Sequence, residues 1–145
     1  MDPTLLDRLL LAGHLLREDT ARAFAGTPLT ESRAAVLWVL QAQGPSTQQH
    51  VARALQVSAR NISGLVDALE PLGYLRRTPH PQDRRAVLLE LTPLGVETMA
   101  TMAREHAQLD SDLRASVAPE DREAFGRGLE AVVATLGRLV AEAAR

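Results

Sequence analysis

The sequence lacks two residue types altogether, cysteine and lysine, and each absence narrows what the chain can be. A protein of 145 residues without cysteine has no disulfide framework, no thiolate metal site, no cysteine nucleophile and no thiol-based redox sensor. All 16 basic residues are therefore arginine, and with 18 acidic residues they give a net charge of −2. The total charge alone gives no sign of a nucleic-acid partner.

Long apolar runs, phosphate-binding glycine loops and paired catalytic carboxylates are also missing. No segment approaches the roughly 18 consecutive apolar residues of a membrane-spanning helix, and the N-terminus lacks the leader of a secretory signal. We therefore expect a soluble cytoplasmic protein with no membrane partner. Without a nucleophile elbow or an acid–base pair, the sequence predicts no enzyme, no catalytic residue and no cofactor. The four histidines are too scattered to predict a metal site.

Hydrophobic residues make up 46% of the chain, enough for a core, and they recur mostly at helical spacing. The pattern predicts a first helix over residues 3–25, capped by Asp2 and stopped at Gly26. A Ser-x-x-Gln capping box at Ser46 predicts the start of the third helix, and Ser58 is a suitable cap for the fourth. The predicted helices cover residues 3–25, 30–42, 46–55, 92–113 and 119 onwards, and the fourth lies in the segment that Ser58 caps and Gly73 closes.

Between the fourth and fifth helices the apolar period changes from 3.6 to 2. Residues 74–78 and 86–91 read as two strands joined by a polar loop with two prolines. The order is four helices, a two-stranded hairpin and two helices, which predicts a mainly α (α+β) chain with a winged helix-turn-helix in its middle.

The fourth helix has the residues of a helix that reads DNA. With Ile62, Leu65, Val66 and Leu69 pointing inward, the outward positions are polar or small. They are Arg60, Ser63, Gly64 and Asp67, with Asn61 on the shoulder of the helix. Arginine and asparagine bind guanine and adenine edges in the major groove, and small residues allow the helix to approach the bases closely.

The hairpin loop predicts a second contact. Asp83 and Arg85 are two residues apart, so we expect them to form an ion pair that aims Arg85 into an A·T-rich minor groove, rather than an ordinary surface pair. Residues 44–95 hold six arginines and four acids, a balance of +2, while the rest of the chain holds ten arginines and fourteen acids, a balance of −4. The small excess of positive charge lies on the predicted DNA-binding segment.

Several short motifs, in order, resemble the MarR family of transcriptional regulators. They are Leu29-Thr30, Val51-Ala52-x-x-Leu55-x-Val57-Ser58, Leu65-Val66-Asp67-x-Leu69-Glu70, Gly73-Tyr74-Leu75-x-Arg77 and, most specifically, Asp83-Arg84-Arg85 through Leu91-Thr92-Pro93-x-Gly95. The resemblance covers about residues 4–142. Gly64 stands where relatives often have a basic residue, and Pro71 is expected to kink the reading helix or end it early.

This resemblance implies a homodimer that binds double-stranded DNA at a pseudo-palindromic operator, with repression as the family default. Residues 29–92 would form the DNA-binding domain, and residues 1–28 and 93–145 the dimerisation helices. The predicted DNA-binding residues are Ser58, Arg60, Asn61, Ser63, Gly64, Arg77, Asp83, Arg84 and Arg85.

Many MarR relatives bind small phenolic or aromatic effectors where the dimerisation helices meet the winged domain. On this chain the residues predicted for such a site are His14, Arg17, Trp38, Met99 and Met102. Arginine would pair with an anion, tryptophan would stack and the methionines would form an adaptable wall. The alternative for the methionines and the tryptophan is plain core filling. The alternative for the whole chain is a winged-helix module that binds another protein without binding DNA.

Overall fold

A computed structural model describes residues 1–144 and has a mainly helical fold with a small antiparallel sheet, as the sequence predicted. Six α-helices and three strands follow one another along this part of the chain. They are α1 (Leu5–Phe24), α2 (Glu31–Gln43), β1 (Ser46–Thr47), α3 (Gln48–Leu55), α4 (Ala59–Leu69), β2 (Leu75–Pro79), β3 (Val87–Leu91), α5 (Pro93–Ser116) and α6 (Arg122–Ala143). A 3-10 turn over Pro119–Asp121 precedes α6, where the sequence predicted that the helix itself begins.

The chain divides into two compact units, Met1–Ala100 and Thr101–Arg145. The first unit contains the winged helix-turn-helix and its hydrophobic core, in which α2, α3, α4 and the sheet pack together. The largest fully buried side chains belong to this unit: Val36, Leu37, Val51, Ile62, Val66, Leu69, Leu75, Leu89 and Met99. This core holds the fourth helix and the hairpin on one body.

The sheet has a strand that the sequence analysis missed. Its order is β1-β3-β2, and β1 pairs Ser46 with Leu89 and Thr47 with Leu88. The predicted capping box at Ser46 was therefore wrong. Thr47 caps α3 by accepting the His50 N–H at 3.2 Å, while the buried Ser46 hydroxyl donates to the Gly44 carbonyl. A strand of two residues is too short to show a period, and only its partner makes it a strand.

The cap of α1 also differs from the prediction. Thr4, not Asp2, caps this helix, and Asp7 accepts hydrogen bonds from both the backbone N–H and the hydroxyl of Thr4, at 2.8 and 2.7 Å. The Asp7 N–H donates back to the Thr4 hydroxyl oxygen. In this reciprocal capping box the backbone N–H groups of Thr4 and Asp7 each have a side-chain acceptor. The hydrogen bonds from Thr4 hold the pKa of Asp7 below its ordinary value.

A closely packed, hydrogen-bonded turn joins the sheet to α5. The Thr92 hydroxyl donates to the Gly73 carbonyl and accepts from the Gly95 N–H, while the Thr92 N–H donates to the Tyr74 carbonyl. Gly73 has a positive φ of 85°, and a Cβ on Gly95 would lie 2.0 Å from the Tyr74 carbonyl oxygen. Only glycine fits this approach, which gives a physical reason for the Thr-Pro-x-Gly segment.

Two helices bury none of their residues. α1 and α6 both have broad apolar surfaces that stay between 38% and 70% exposed. The exposed side chains are Leu5, Leu6, Leu10, Leu11, Leu15 and Leu16 on α1, and Phe125, Leu129, Val133, Leu136, Leu139 and Val140 on α6. Of the helices within residues 1–144, none combines the length and the hydropathy that crossing a bilayer would require.

Candidate nucleic-acid interface

The turn between α3 and α4 fixes the start of the fourth helix. Gln56 adopts a left-handed conformation with φ of 55°, and the Val57 N–H donates to the Ala52 carbonyl at 3.0 Å. Ser58 then caps α4 by accepting the Asn61 N–H at 3.0 Å, as predicted. The Ser58 hydroxyl is thus engaged in starting the helix.

The outer surface of α4 is polar, and it has small residues at Ser63 and Gly64. Arg60, Asn61 and Gly64 are exposed, and Ser63 is half-buried. A Cβ added to Gly64 would meet nothing within 4 Å, so the helix has open space on that side. The inner stripe of α4 is buried as predicted at Ile62, Val66 and Leu69, whereas Leu65 is only half-buried. The buried stripe holds α4 against α2 and α3.

Arg77 of β2 is held between two carboxylates, those of Asp67 on α4 and of Glu70 at the end of that helix. One guanidinium nitrogen lies 2.6 Å from Asp67 and the other 2.7 Å from Glu70, and the Arg77 backbone N–H donates to Glu70 at 3.0 Å. Hydrogen bonding to Asp67 raises the pKa of Arg77 above its ordinary value, with Glu70 adding to the effect. The side chain predicted to contact DNA therefore ties the hairpin to α4.

In the part of the chain that the structure describes, the other arginines of residues 44–95 fall into two groups, one arginine that pairs with a carboxylate and four that do not. Arg76 pairs with Glu90 across the two strands at 2.5 Å, at directly opposed positions of the sheet. Among the described residues, four arginines of segment 44–95 have no carboxylate partner: Arg53, Arg60, Arg84 and Arg85. Three of the four acids pair with Arg76 and Arg77, so the balance stays at +2 but, within the described residues of the segment, the cations without a carboxylate partner are these four arginines.

The wing tip, defined here as residues 80–86, is closed by a set of hydrogen bonds. The His80 N–H donates to the Ala86 carbonyl, and the Ala86 N–H donates to the Asp83 carbonyl, both at 3.1 Å. The Asp83 carboxylate accepts the Arg85 backbone N–H at 2.9 Å. Arg84 and Arg85 are both exposed at this tip.

The predicted ion pair between Asp83 and the Arg85 side chain is wrong. Among the ion pairs of residues 1–144, none joins these two side chains, because the Asp83 carboxylate binds the backbone two residues on. Asp83 therefore shapes the loop that presents Arg85, and the guanidinium itself is not tied to it.

The residues predicted for an effector site occupy different environments. His14 and Arg17 are exposed on α1, and His14 lies 3.6 Å from Glu18. Trp38 is half-buried on α2. Met99 is wholly buried in the core of the first unit, as plain core filling would require, and Met102 belongs to the second unit.

A cavity on α1 contains none of these five side chains. It is open to solvent and is lined by Glu18, Ala21, Arg22 and Ala25. Within the described part of the chain, no three His, Cys, Asp or Glu side chains are grouped so as to hold a metal ion.

Sequence comparison identifies related regulators. The profile described as the MarR family matches residues 29–87. The chain is 32% identical over 119 residues to the HTH-type transcriptional repressor NicR of Pseudomonas putida, and the alignment covers 75% of each protein.

Solved structures share the fold. MepR of Staphylococcus aureus, in a complex with DNA, superposes with a TM-score of 0.75 at 20% identity, covering 92% of this chain and 99% of that one. FabT of Streptococcus pneumoniae, also in complex with DNA, superposes with a TM-score of 0.77 at 21% identity, covering 90% and 93%. At these identities the likeness is one of fold.

Proposed function

The chain belongs to the MarR family of transcriptional regulators, and we propose that it binds a pseudo-palindromic operator as a homodimer and represses transcription there. One observation carries the DNA-binding part of this proposal. The arginines of the winged segment that have no carboxylate partner include Arg60 on α4 and Arg84 and Arg85 at the wing tip. These are the positions from which a winged helix reaches the major and the minor groove.

The reading helix supplies the base contacts in this proposal. Arg60 and Asn61 are exposed near the N-terminus of α4, where recognition helices meet base edges. Gly64 leaves space for the close approach of a base or a phosphate. Ser58 and Ser63 complete the surface, Ser58 chiefly through its cap.

The wing supplies the second contact. Arg84 and Arg85 extend from a hydrogen-bonded loop, and Asp83 helps to fix that loop through the Arg85 backbone. Arg77 supports the same interface from behind, because its guanidinium is occupied by Asp67 and Glu70. We therefore assign Arg77 to positioning the wing on α4.

The exposed helices support the dimer. Apolar surfaces as broad as those of α1 and α6 are covered in a stable protein, and closed two-fold pairs are the commonest assembly. Leu11 and Leu15 lie outside the stripe of Leu5, Leu9 and Leu16, so α1 is apolar around most of its circumference. In this proposal residues 1–28 and 93–145 dimerise, and residues 29–92 bind DNA half-sites about 34–36 Å apart.

Two further parts of the proposed function are repression of transcription and its release by a ligand. The relative NicR is named as a repressor, which supports repression here. We further propose that a small aromatic or phenolic effector releases the DNA, and that the exposed polar residues His14 and Arg17 bind it. Half-buried Trp38 would line the apolar side of such a site.

A gel-shift experiment with the protein's own promoter region tests the DNA-binding part. We expect a retained complex whose affinity falls steeply as salt rises. Arg85→Ala should lower the affinity by roughly 1–3 kcal/mol and reduce the slope of log affinity against log salt by about one, since one cationic contact is lost. The dimer should remain intact.

The control is Arg104→Ala, which removes the same charge from an exposed position of α5. It should change neither the affinity nor the slope beyond the general effect of net charge. If Arg85→Ala binds as well as the original protein, the account of the wing is wrong. If no genomic fragment is retained even at low salt, the winged-helix module that binds a protein partner becomes the better reading.

A further inference from the structure

His80 stands at the entrance of the wing tip and accepts two backbone hydrogen bonds with its side chain. The ring Nδ1 accepts the Gln82 N–H at 3.1 Å and the Asp83 N–H at 3.2 Å. A nitrogen that accepts from backbone N–H groups carries no proton, so the ring proton lies on Nε2. His80 therefore acts at this turn as a hydrogen-bond acceptor.

The local sequence makes these two donors available to the ring. Pro81 has no N–H, so the first backbone donors after His80 are those of Gln82 and Asp83. The residue before a proline is restricted to extended conformations, which limits the backbone of His80 itself. The half-buried ring is thus held beside the loop whose N–H groups it accepts.

The bonds to His80 continue into the segment that presents the free arginines. Asp83, whose N–H is held by the ring, uses its carboxylate to hold the N–H of Arg85. The His80 backbone N–H closes the loop by donating to the Ala86 carbonyl. His80 is therefore hydrogen-bonded directly to Gln82, Asp83 and Ala86. Arg85 is connected to it through Asp83.

We propose that His80 is a positioning residue for DNA binding, because its Nδ1 fixes the wing-tip loop that presents Arg84 and Arg85. This inference rests on the proposed DNA-binding function. A loop that is ordered before binding loses less conformational entropy when its side chains enter a groove. His80 itself needs no contact with DNA to have this effect.

The test compares two substitutions of the same residue. His80→Ala removes the acceptor, whereas the side-chain carbonyl of His80→Asn can take up both N–H groups as an Asx turn does. Affinity for the retained promoter fragment is measured at several salt concentrations and about pH 8, so that removing the ring does not also remove a positive charge.

We expect His80→Ala to bind about tenfold more weakly, the loss that follows when two ordinary hydrogen bonds are given up. Its salt slope should equal that of the original protein, because no phosphate contact has been removed. His80→Asn should bind within about twofold of the original. Amide hydrogen exchange, followed by NMR, should be faster at Gln82 and Asp83 in His80→Ala and restored in His80→Asn.

His50→Ala is the control, since it removes a histidine of the same unit that is exposed and whose ring contacts Gln43. It should leave the affinity and the exchange of Gln82 and Asp83 unchanged. The inference is overturned if His80→Ala binds like the original protein, or if His80→Asn binds no better than His80→Ala. If the original protein retains no DNA at all, the proposed function fails first and this role fails with it.

Discussion

The helices α4 and α6 have the same kind of apolar stripe but opposite surroundings. On α4, Ile62, Val66 and Leu69 are almost wholly buried, because α2 and α3 of the same chain pack against them. On α6, Leu136 and Val140 stay 50% and 70% exposed, and no residue of the helix is buried. Helical periodicity shows that a face must be covered, and only the packing shows whether the same chain covers it.

This difference in burial indicates that the winged segment and the helices α1 and α6 have different roles. The winged segment is stable through its own core and presents charge outward, with arginines that are either clamped or free. The surfaces of α1 and α6 are left for a second copy in our proposal. Stability of the first should therefore be independent of protein concentration, whereas that of the second should depend on it.

The largest effect is expected from placing a charge on the open face of α6. In Leu136→Asp a carboxylate would be buried at the dimer interface, and a two-fold axis would place it there twice, at several kcal/mol for each buried charge. Sedimentation at micromolar concentration should show a monomer. Ala134→Asp, on the opposite side of the same helix, should remain a dimer. A Leu136→Asp protein that stays dimeric would place the interface elsewhere.

A smaller effect is expected from opening a cavity under α4. Leu69 is wholly buried, so Leu69→Ala should lower the free energy of unfolding by about 2–5 kcal/mol, equally at high and low protein concentration. Denaturant titration measures this. Leu72→Ala, just beyond the helix at a side chain 37% exposed, should cost less than about 1 kcal/mol. Equal losses in the two variants would contradict the assignment of the core.

The smallest effect concerns the clamp between the hairpin and α4. Arg77→Met keeps the aliphatic stem but removes both ion pairs, and because Asp67 is largely exposed the loss of stability should be no more than about 1 kcal/mol. DNA affinity should fall less than in Arg85→Ala, with the salt slope unchanged. If the slope instead falls by about one, Arg77 contacts DNA directly, as its place among the predicted DNA-binding residues implied.

Much of the fold was predictable because its signals are local. The buried positions of α4, the Ser58 cap and the hairpin follow from spacing within a few residues, and the two strands of the hairpin lie within one residue of their predicted bounds. The errors at Asp2 and Ser46 have the same origin, since each is an acceptable cap beside a better one, Thr4 or Thr47. Cap choice depends on which hydroxyl the folded backbone brings to the helix end.

The role of each charge was decided by the tertiary structure. The sequence determined that every cation is an arginine and that the winged segment has an excess of them. It did not reveal that Asp67 and Glu70 would take Arg77, or that Asp83 would hold a backbone N–H instead of a guanidinium. Spacing along the chain fixes which groups can meet locally. Which charges are neutralised depends on distances that exist only after the hairpin has folded back onto α4.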